Sequence, residues 1–251
     1  PMFSYRQAFD RNLGWLTETE QEALRSKRVA IAGLGGVGGA HLLTLTRLGI
    51  GHFNLADFDQ FEIQNFNRQV GATVHSVGRS KLDVMSEMAR AINPELGIRG
   101  FEEGVHAGNA EDFLDGVDLY VDGLDFFVLD ERQRIFDLCA ERRIPAITAA
   151  PVGMGAALLV FVPGGMSFSN YFRMAGTSDQ EKAARFLVEG EVAQQAAPGD
   201  DRQGAEQHPG LVVVVAQLVR AVQQRPQREV PLSKVLELAR VFATRGCEAT
   251  V

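Results

Sequence analysis

The chain has 251 residues, 45% of them hydrophobic, so it can bury the core of one large α/β domain or of one domain with an appendage. Its formal net charge of -7 and pI of about 5.3 argue against a general affinity for nucleic acid or for an anionic membrane surface. The two cysteines, Cys139 and Cys247, form no Cys-x-x-Cys pair and no disulfide framework, so we expect a cytoplasmic protein.

The first half of the chain alternates helical and strand patterns. Thr17 and Glu20 have the spacing of a capping box next to an apolar stripe, which predicts a helix over residues 5–27. The sequence Gly49-Ile50-Gly51 is typical of the end of a helix. The predicted elements are, in order, a helix over 5–27, a strand over 28–32, a helix over 39–48, a strand over 52–57 and a helix over 81–92.

The second half continues this alternation and then changes in composition. Its predicted elements are a strand over 96–101, a helix over 109–114, a strand over 117–122, a helix over 130–142, and strands over 144–149 and 156–162. Residues 189–210 are rich in Gln, Gly, Ala and acidic residues, which predicts a mobile linker or loop. Two closing helices are expected over 211–224 and 232–244. The predicted organisation is therefore a first domain over 1–188, the linker over 189–210 and a helical segment over 211–251.

The order of these elements determines the expected fold class. Strands that alternate with helices form a mostly parallel sheet with helices on both faces, because each crossover returns the chain to the same edge. We therefore predict an α/β, Rossmann-like fold. In such folds ligands bind outside the carboxyl ends of the strands.

A glycine-rich turn joins the first predicted strand to the helix after it, with the sequence Gly33-Leu34-Gly35-Gly36-Val37-Gly38. Glycine allows a tight turn at 33, a close approach of phosphate at 35, and close packing of the helix on the strand at 38. Asp57 follows the second strand, where a carboxylate that binds ribose is expected. This context predicts nucleotide binding rather than a turn of purely structural purpose.

A dense polar block follows the second strand. It contains Asp59 and then Asn65, Asn67, Arg68 and Gln69. The planar guanidinium of Arg68 suits phosphate oxygens, and the amides suit a ribose or an α-phosphate. The alternative is an ordinary polar loop, with Asp59 capping the next turn.

Four further charged residues are candidates with open alternatives. Lys81, at the start of a helix, either reaches over a phosphate or is a solvated residue of the first turn. Asp122 and Asp125 lie at the end of the fourth strand, near the expected nucleotide site. Asp125 is the candidate ligand of Mg²⁺, and the alternative is an ordinary loop residue. Arg11 is a surface side chain unless the site of a second subunit lies beside it.

The succession Gly-x-Gly-Gly-x-Gly, Asp-x-Asp, Asn-x-x-Arg-Gln, Gly-x-x-Lys and Asn-Pro resembles the ThiF/MoeB-type adenylyltransferases, the superfamily of ubiquitin-activating enzymes, over about residues 5–165. The resemblance implies a dimer that uses ATP and Mg²⁺ to adenylate a carboxylate, with release of pyrophosphate. The carboxylate would belong to a ubiquitin-like protein, a peptide or a small molecule.

The same resemblance implies a role for each matching residue. Arg68, Lys81 and Asp125 would act in catalysis, with Asp125 on the metal, and Arg11 would reach into the partner's site. The residues implied to bind the nucleotide are Gly33, Gly35, Gly36, Gly38, Asp57, Asp59, Asn65, Arg68, Gln69 and Lys81.

Three features depart from the family pattern. The chain lacks the two Cys-x-x-Cys pairs of a structural zinc site, so we expect no zinc. Phe126 stands where an Asn often follows the metal-binding Asp. Residues 174–210, which should hold a cysteine that accepts the activated substrate, contain none. Cys139 is predicted to be a buried structural thiol because Phe136 and Leu138 share its helix.

The sequence is also compatible with two other functions. An NAD-dependent oxidoreductase would also use the glycine turn, but no His lies in a late loop of the core to assist hydride transfer. A nucleotide-binding partner protein without catalysis is the other alternative, and Phe126 and the unusual tail favour it.

Overall fold

The computed structural model describes residues 2–152, 155–178, 181–182 and 185–186. The chain divides into two compact units, residues 1–146 and 147–251. The predicted boundary at residue 188, the linker over 189–210 and the helices over 211–224 and 232–244 lie outside the described residues. Within the described part of the chain, no helix has both the length and the apolar character that a membrane span requires.

The first unit contains most of the predicted elements. In chain order they are α1 (Tyr5–Ala8), a 3-10 turn (Asp10–Asn12), α2 (Glu18–Arg25), β1 (Arg28–Ala32), α3 (Gly36–Leu48), β2 (His52–Ala56), a 3-10 turn (Ile63–Asn65), α4 (Lys81–Ile92), β3 (Gly97–Phe101), α5 (Ala110–Phe113), β4 (Leu119–Asp122) and α6 (Leu129–Glu141). Helix α4 and strand β1 have the predicted bounds, and β2, β3 and β4 each differ from prediction by one or two residues at one end. The predicted α/β, Rossmann-like class with a mostly parallel sheet is confirmed.

The strands of the first unit are parallel and hydrogen-bonded in the order β3-β2-β1-β4. Ala32, the last residue of β1, pairs with Ala56 and Asp122, the last residues of β2 and β4. Because the three strands end in register, the chain leaves all of them at one edge of the sheet. We call the segments that follow these ends, residues 33–36, 57–59 and 123–125, the carboxyl edge.

The core of the first unit contains a row of aromatic side chains in contact. The ring of Phe113 lies 5.2 Å from that of Phe101 and 6.4 Å from that of Tyr120, which in turn lies 5.4 Å from Phe136, all edge-to-face. Such pairs add about 0.5–1.5 kcal/mol each beyond the burial of their area. The row joins β3 and α5 to β4 and α6, so it supports the strand that leads to Asp125.

The prediction of one helix over residues 5–27 is wrong. The chain forms α1, the 3-10 turn and α2, because Leu13 is extended and Gly14 has a φ of 104°. The predicted capping box is confirmed at the start of α2. Thr17 Oγ1 accepts a hydrogen bond from the Glu20 N–H at 3.2 Å, and the Glu20 carboxylate accepts one from the Thr17 N–H at 2.7 Å.

The described part of the second unit contains two strands and a short helix. These are β5 (Ala146–Val152), whose first residue ends the first unit, β6 (Gly155–Phe161) and α7 (Phe168–Tyr171). Ser167 caps α7 by accepting a hydrogen bond from the Asn170 N–H at 3.2 Å. The ring of Phe168 lies 5.6 Å from Phe161 and 4.7 Å from Phe172, so the unit has an aromatic core of its own.

We expect His41 on α3 to make folding stability depend on pH. Burial lowers the pKa of this side chain to about 4, so the fold holds it neutral. As pH falls from about 6.5 to about 4, the unfolded chain binds a proton that the folded chain does not, and about 3 kcal/mol of stability is lost. Urea titrations should show a shallower pH dependence for His41→Leu than for the unaltered chain. His75→Leu, which removes an exposed histidine, is the matched control, and equal slopes for all three proteins would contradict this origin.

Candidate functional site

Two glycines of the turn after β1 are required by packing. Gly33 has a φ of 83°, and a Cβ on it would lie 2.2 Å from the carbonyl oxygen of Gly123. A Cβ on Gly38 would lie 1.8 Å from the carbonyl oxygen of Gly33. The turn therefore packs directly against the chain that follows β4, and α3 packs directly against the turn.

The next two glycines are less constrained by packing. Helix α3 begins at Gly36, earlier than predicted, and among the described residues no side chain caps it at Gly35. A Cβ on Gly35 would make only ordinary contact, 3.6 Å from Gln69 Nε2, whereas one on Gly36 would lie 3.3 Å from the Arg68 carbonyl oxygen. Gly35 and Gly36 are partly exposed, so a ligand can approach the first N–H groups of this 13-residue helix, and such a terminus favours an anion.

Asp57 ties the glycine turn to the end of β2. Its two carboxylate oxygens accept hydrogen bonds from the Leu34 N–H at 2.6 Å and the Asp59 N–H at 2.8 Å. The side chain is buried, and desolvation raises its pKa, an effect that the two N–H groups and Lys81 oppose. Asp57 therefore fixes the shape of the carboxyl edge, and its expected contact with a ribose stays a prediction.

Lys81 and Asp59 form an ion pair beside this turn. Lys81 Nζ lies 2.8 Å from Asp59 Oδ2, and the side chains are 8% and 52% exposed. Lys81 is the first residue of α4, whose N-cap Ser80 accepts a hydrogen bond from the Asp83 N–H. Lys81 is therefore not the solvated first-turn residue of the alternative interpretation, and Asp59 does more than cap a turn.

The polar block after β2 combines structural and exposed side chains. Asn65 is buried, and its Oδ1 accepts a hydrogen bond from the Glu62 N–H at 2.9 Å, which shapes the 3-10 turn. Arg68 is exposed, and its Nη1 donates to the Gln64 carbonyl at 2.9 Å and to Asn67 Oδ1 at 3.0 Å. The guanidinium is thus held above its own loop with its other N–H groups accessible to a ligand.

Gln69 has an unused hydrogen-bonding group next to the glycine turn. It is 7% exposed, and its Oε1 has no hydrogen-bond partner among the described residues. A buried amide oxygen without a partner costs free energy. Since a half-turn of the amide exchanges its donor and acceptor ends, Gln69 can bind a phosphate oxygen or a ribose hydroxyl at Gly35.

The two carboxylates at the end of β4 differ in their surroundings. Asp122 is buried, and its Oδ2 accepts a hydrogen bond from Arg132 Nε at 2.7 Å. Asp125 is exposed on the following loop, where its Oδ1 lies 3.4 Å from the Phe127 N–H. In the described part of the chain, no group of three or more His, Cys, Asp or Glu side chains forms a metal site. Mg²⁺ that is held mainly by phosphates needs only one or two protein carboxylates, and an exposed carboxylate such as that of Asp125 suits this mode of binding. The expected contact of Asp125 with Mg²⁺ stays a prediction.

The sequence interpretation missed Arg132. Besides the ion pair with Asp122, its Nη2 donates to the carbonyls of Leu124 and Asp125, and its Nη1 to that of Phe126. The signal was present in the pattern of α6, because Arg132 shares the buried face of this helix with Leu129, Ile135, Phe136 and Cys139. An arginine on an apolar face indicates a buried ion pair.

The remaining predicted residues either make none of these contacts or lie outside the part of the chain that the structure describes. Arg11 is on the 3-10 turn after α1, 94% exposed, with its Nε 3.9 Å from Asp10. The structural interpretation of Cys139 is confirmed, because the thiol is buried and burial raises its pKa. Cys247 lies outside the described residues.

The sequence of this chain is similar to those of several known proteins. The tRNA threonylcarbamoyladenosine dehydratase of Haemophilus influenzae is 30% identical over 151 residues, which are 60% of this chain and 57% of that protein. The sulfur carrier protein ThiS adenylyltransferase of Escherichia coli is 31% identical over 143 residues, 57% of this chain and 56% of that protein. The chain thus spans less than three fifths of the length of these curated relatives.

A solved structure shares the fold. The crystal structure of the E. coli tRNA N6-threonylcarbamoyladenosine dehydratase TcdA in complex with ATP has a TM-score of 0.55 and 21% sequence identity to this chain. The similarity covers 76% of this chain and 93% of that one, and at this identity it concerns the fold alone. The model of the ThiF family matches residues 9–223. The chain belongs to the ThiF family, as its motifs indicated.

Proposed function

We propose that this chain is an ATP- and Mg²⁺-dependent adenylyltransferase that activates a carboxylate as an acyl-adenylate and releases pyrophosphate. Members of the ThiF family use ATP to activate carboxylates or sulfur carriers. The observation that carries the proposal is the partly exposed, uncapped start of α3 at Gly35, with the unpartnered amide oxygen of Gln69 beside it. Gly35 belongs to the carboxyl edge, where a parallel sheet binds nucleotides.

In this proposal the residues of the carboxyl edge and of the loops beside it have complementary parts. Gly33, Gly35, Gly36 and Gly38 form the turn that receives phosphates, while Asp57 and Asp59 contact the ribose. Lys81 and Arg68 supply positive charge to the triphosphate, Asn65 holds the loop of Arg68, and Gln69 contacts the nucleotide at Gly35. Mg²⁺, held by Asp125 and the phosphates, would neutralise charge on the triphosphate.

The chemistry requires positioning more than covalent help. A carboxylate oxygen of the substrate attacks the α-phosphorus, and the bond from this phosphorus to the oxygen that bridges it to the β-phosphate breaks. The electron pair leaves with pyrophosphate, so negative charge grows on the leaving group. Lys81, Arg68 and the N–H groups at the start of α3 stabilise that charge from fixed positions.

The substrate and the partner belong to the proposal as well. The names of the two relatives state different substrates, so they do not choose among a ubiquitin-like protein, a peptide and a small molecule. We propose a homodimer in which Arg11 of one subunit reaches the nucleotide of the other, since the side chain is exposed. The cytoplasmic location stays a prediction.

A nucleotide-binding partner protein without catalysis is the second candidate. Phe127 is 78% exposed and its ring lies 5.1 Å from that of Phe126, so a pair of aromatic side chains follows Asp125. Exchange of labelled pyrophosphate into ATP, with added carboxylates that include a small protein ending in Gly-Gly, separates the candidates. Exchange that depends on a carboxylate supports the enzyme, whereas tight ATP binding without exchange with any of them supports the partner protein.

Asp125→Ala should lower pyrophosphate exchange on the order of 100-fold or more, because it removes the carboxylate that holds the metal at the phosphates. The side chain is exposed, so the thermal unfolding midpoint should change little. Asp115→Ala is the matched control, since this exposed Asp precedes β4 at the opposite edge of the sheet. Near-normal exchange by Asp125→Ala would remove Asp125 from the mechanism.

The trans role of Arg11 predicts complementation between two inactive variants. In a mixed dimer of Arg11→Ala and Asp125→Ala subunits, one site combines the intact Arg11 of one subunit with the intact Asp125 of the other. After subunit exchange, about a quarter of the original activity should return, because half of the dimers are mixed and each has one complete site. No recovery in dimers shown to be mixed, or an active monomer by light scattering, would contradict the trans role.

A further inference from the structure

Arg132 forms a buried network of one ion pair and several hydrogen bonds, which packing alone does not require. Its guanidinium is buried with the carboxylate of Asp122, the side chains being 3% and 1% exposed, and Nε lies 2.7 Å from Oδ2. Removing two charges from water costs several kcal/mol each, and well-packed apolar side chains of similar volume commonly do as well or better for stability. The network therefore calls for an explanation besides stability.

The two terminal nitrogens of Arg132 both bind one loop. Nη2 donates to the carbonyl of Leu124 at 2.7 Å and to that of Asp125 at 3.0 Å, and Nη1 donates to that of Phe126 at 3.1 Å. Asp122 holds the same loop from the other side, because its Oδ1 lies 3.2 Å from the Leu124 N–H. Successive peptide groups around Asp125 are thus fixed by one rigid, planar cation.

The fixed peptide groups on both sides of Asp125 determine the direction of its side chain. The carboxylate is exposed, and its contact to the Phe127 N–H, at 3.4 Å, is too long to orient it alone. With the backbone fixed on both sides of Asp125, the Cα–Cβ bond keeps one direction at the carboxyl edge. A single carboxylate that shares a cation with phosphates depends strongly on such outer support.

We propose that Arg132 is a positioning residue, which holds the loop of residues 124–126 so that Asp125 presents its carboxylate to the metal of a bound metal–nucleotide complex. This inference rests on the proposed function, because it takes Asp125 as the metal ligand. An arginine is needed because the three nitrogens of its guanidinium reach Asp122 and the three carbonyls together. A lysine has a single nitrogen and can keep only part of this set.

The test measures Mn²⁺ binding rather than turnover. The probes are Mn²⁺ and α,β-methylene-ATP, an analogue that is not cleaved between its inner phosphates, and free Mn²⁺ is followed by electron paramagnetic resonance. Arg132→Lys should weaken Mn²⁺ binding to the protein–analogue complex about tenfold. Binding of the analogue without metal, measured in EDTA, should not change. A folded Arg132→Lys with unchanged Mn²⁺ affinity would overturn the proposal.

A double-mutant cycle identifies Asp125 as the mediator. In an Asp125→Asn background, Arg132→Lys should have no further effect on Mn²⁺ affinity, since the positioned ligand is already gone. An equal tenfold loss in that background would also overturn the proposal. If Arg132→Lys does not fold, Asp122→Asn replaces it, because it keeps an acceptor for Arg132 but removes the charge. Failure of both variants to fold would assign the network to stability and contradict the proposal.

The same experiment separates this inference from the proposed function. If the unaltered chain binds Mn²⁺ with the analogue and Arg132→Lys weakens it, the positioning role stands even when no pyrophosphate exchange is found. If exchange occurs but Arg132→Lys leaves the Mn²⁺ affinity unchanged, the adenylyltransferase stands and the positioning role falls. An unaltered chain that binds no Mn²⁺ with the analogue would remove both.

Discussion

The close packing of three glycines at the end of the sheet is the constraint on which the candidate site depends. A Cβ on Gly123 would lie 2.9 Å from Gly38 Cα and 2.5 Å from the Gly33 carbonyl oxygen, and the clashes for Gly33 and Gly38 are closer still. The ends of β1 and β4 and the start of α3 therefore meet without side chains between them. This contact fixes the start of α3 at the carboxyl edge, where Gly35 and Gly36 remain partly exposed.

Two pairs of carboxylates divide structural and chemical roles at this edge. The first of each pair, Asp57 or Asp122, is buried and binds the backbone of the adjoining loop. The second of each pair is exposed: the side chain of Asp59 is 52% exposed, and Asp125 lies exposed on the loop after β4. The same arrangement at β2 and β4, the two strands that flank β1, leaves the outer carboxylates accessible to a ligand, while the inner ones hold the loops in place.

The pattern of the chain predicted the fold because burial of strands and helix faces repeats with fixed periods, and α4 was placed to the residue. The helix over 5–27 was wrong because the break depends on a left-handed Gly14, and glycine is also tolerated within helices. Pairings between distant positions, such as Lys81 with Asp59 or Arg132 with Asp122, depend on how loops pack. No local pattern identifies the partner in such a pair, although the position of Arg132 on an apolar helix face indicates that it has one.

The proposed function requires this edge to hold a triphosphate for cleavage between its α- and β-phosphates. A crystal structure of the full chain with Mg²⁺ and α,β-methylene-ATP would show the binding mode itself. We expect the phosphates at the N–H groups of Gly35 and Gly36, with Lys81 and Arg68 beside them and Asp125 on the metal. A nucleotide bound elsewhere, or bound here with all three side chains turned away from it, would rule out the proposed function.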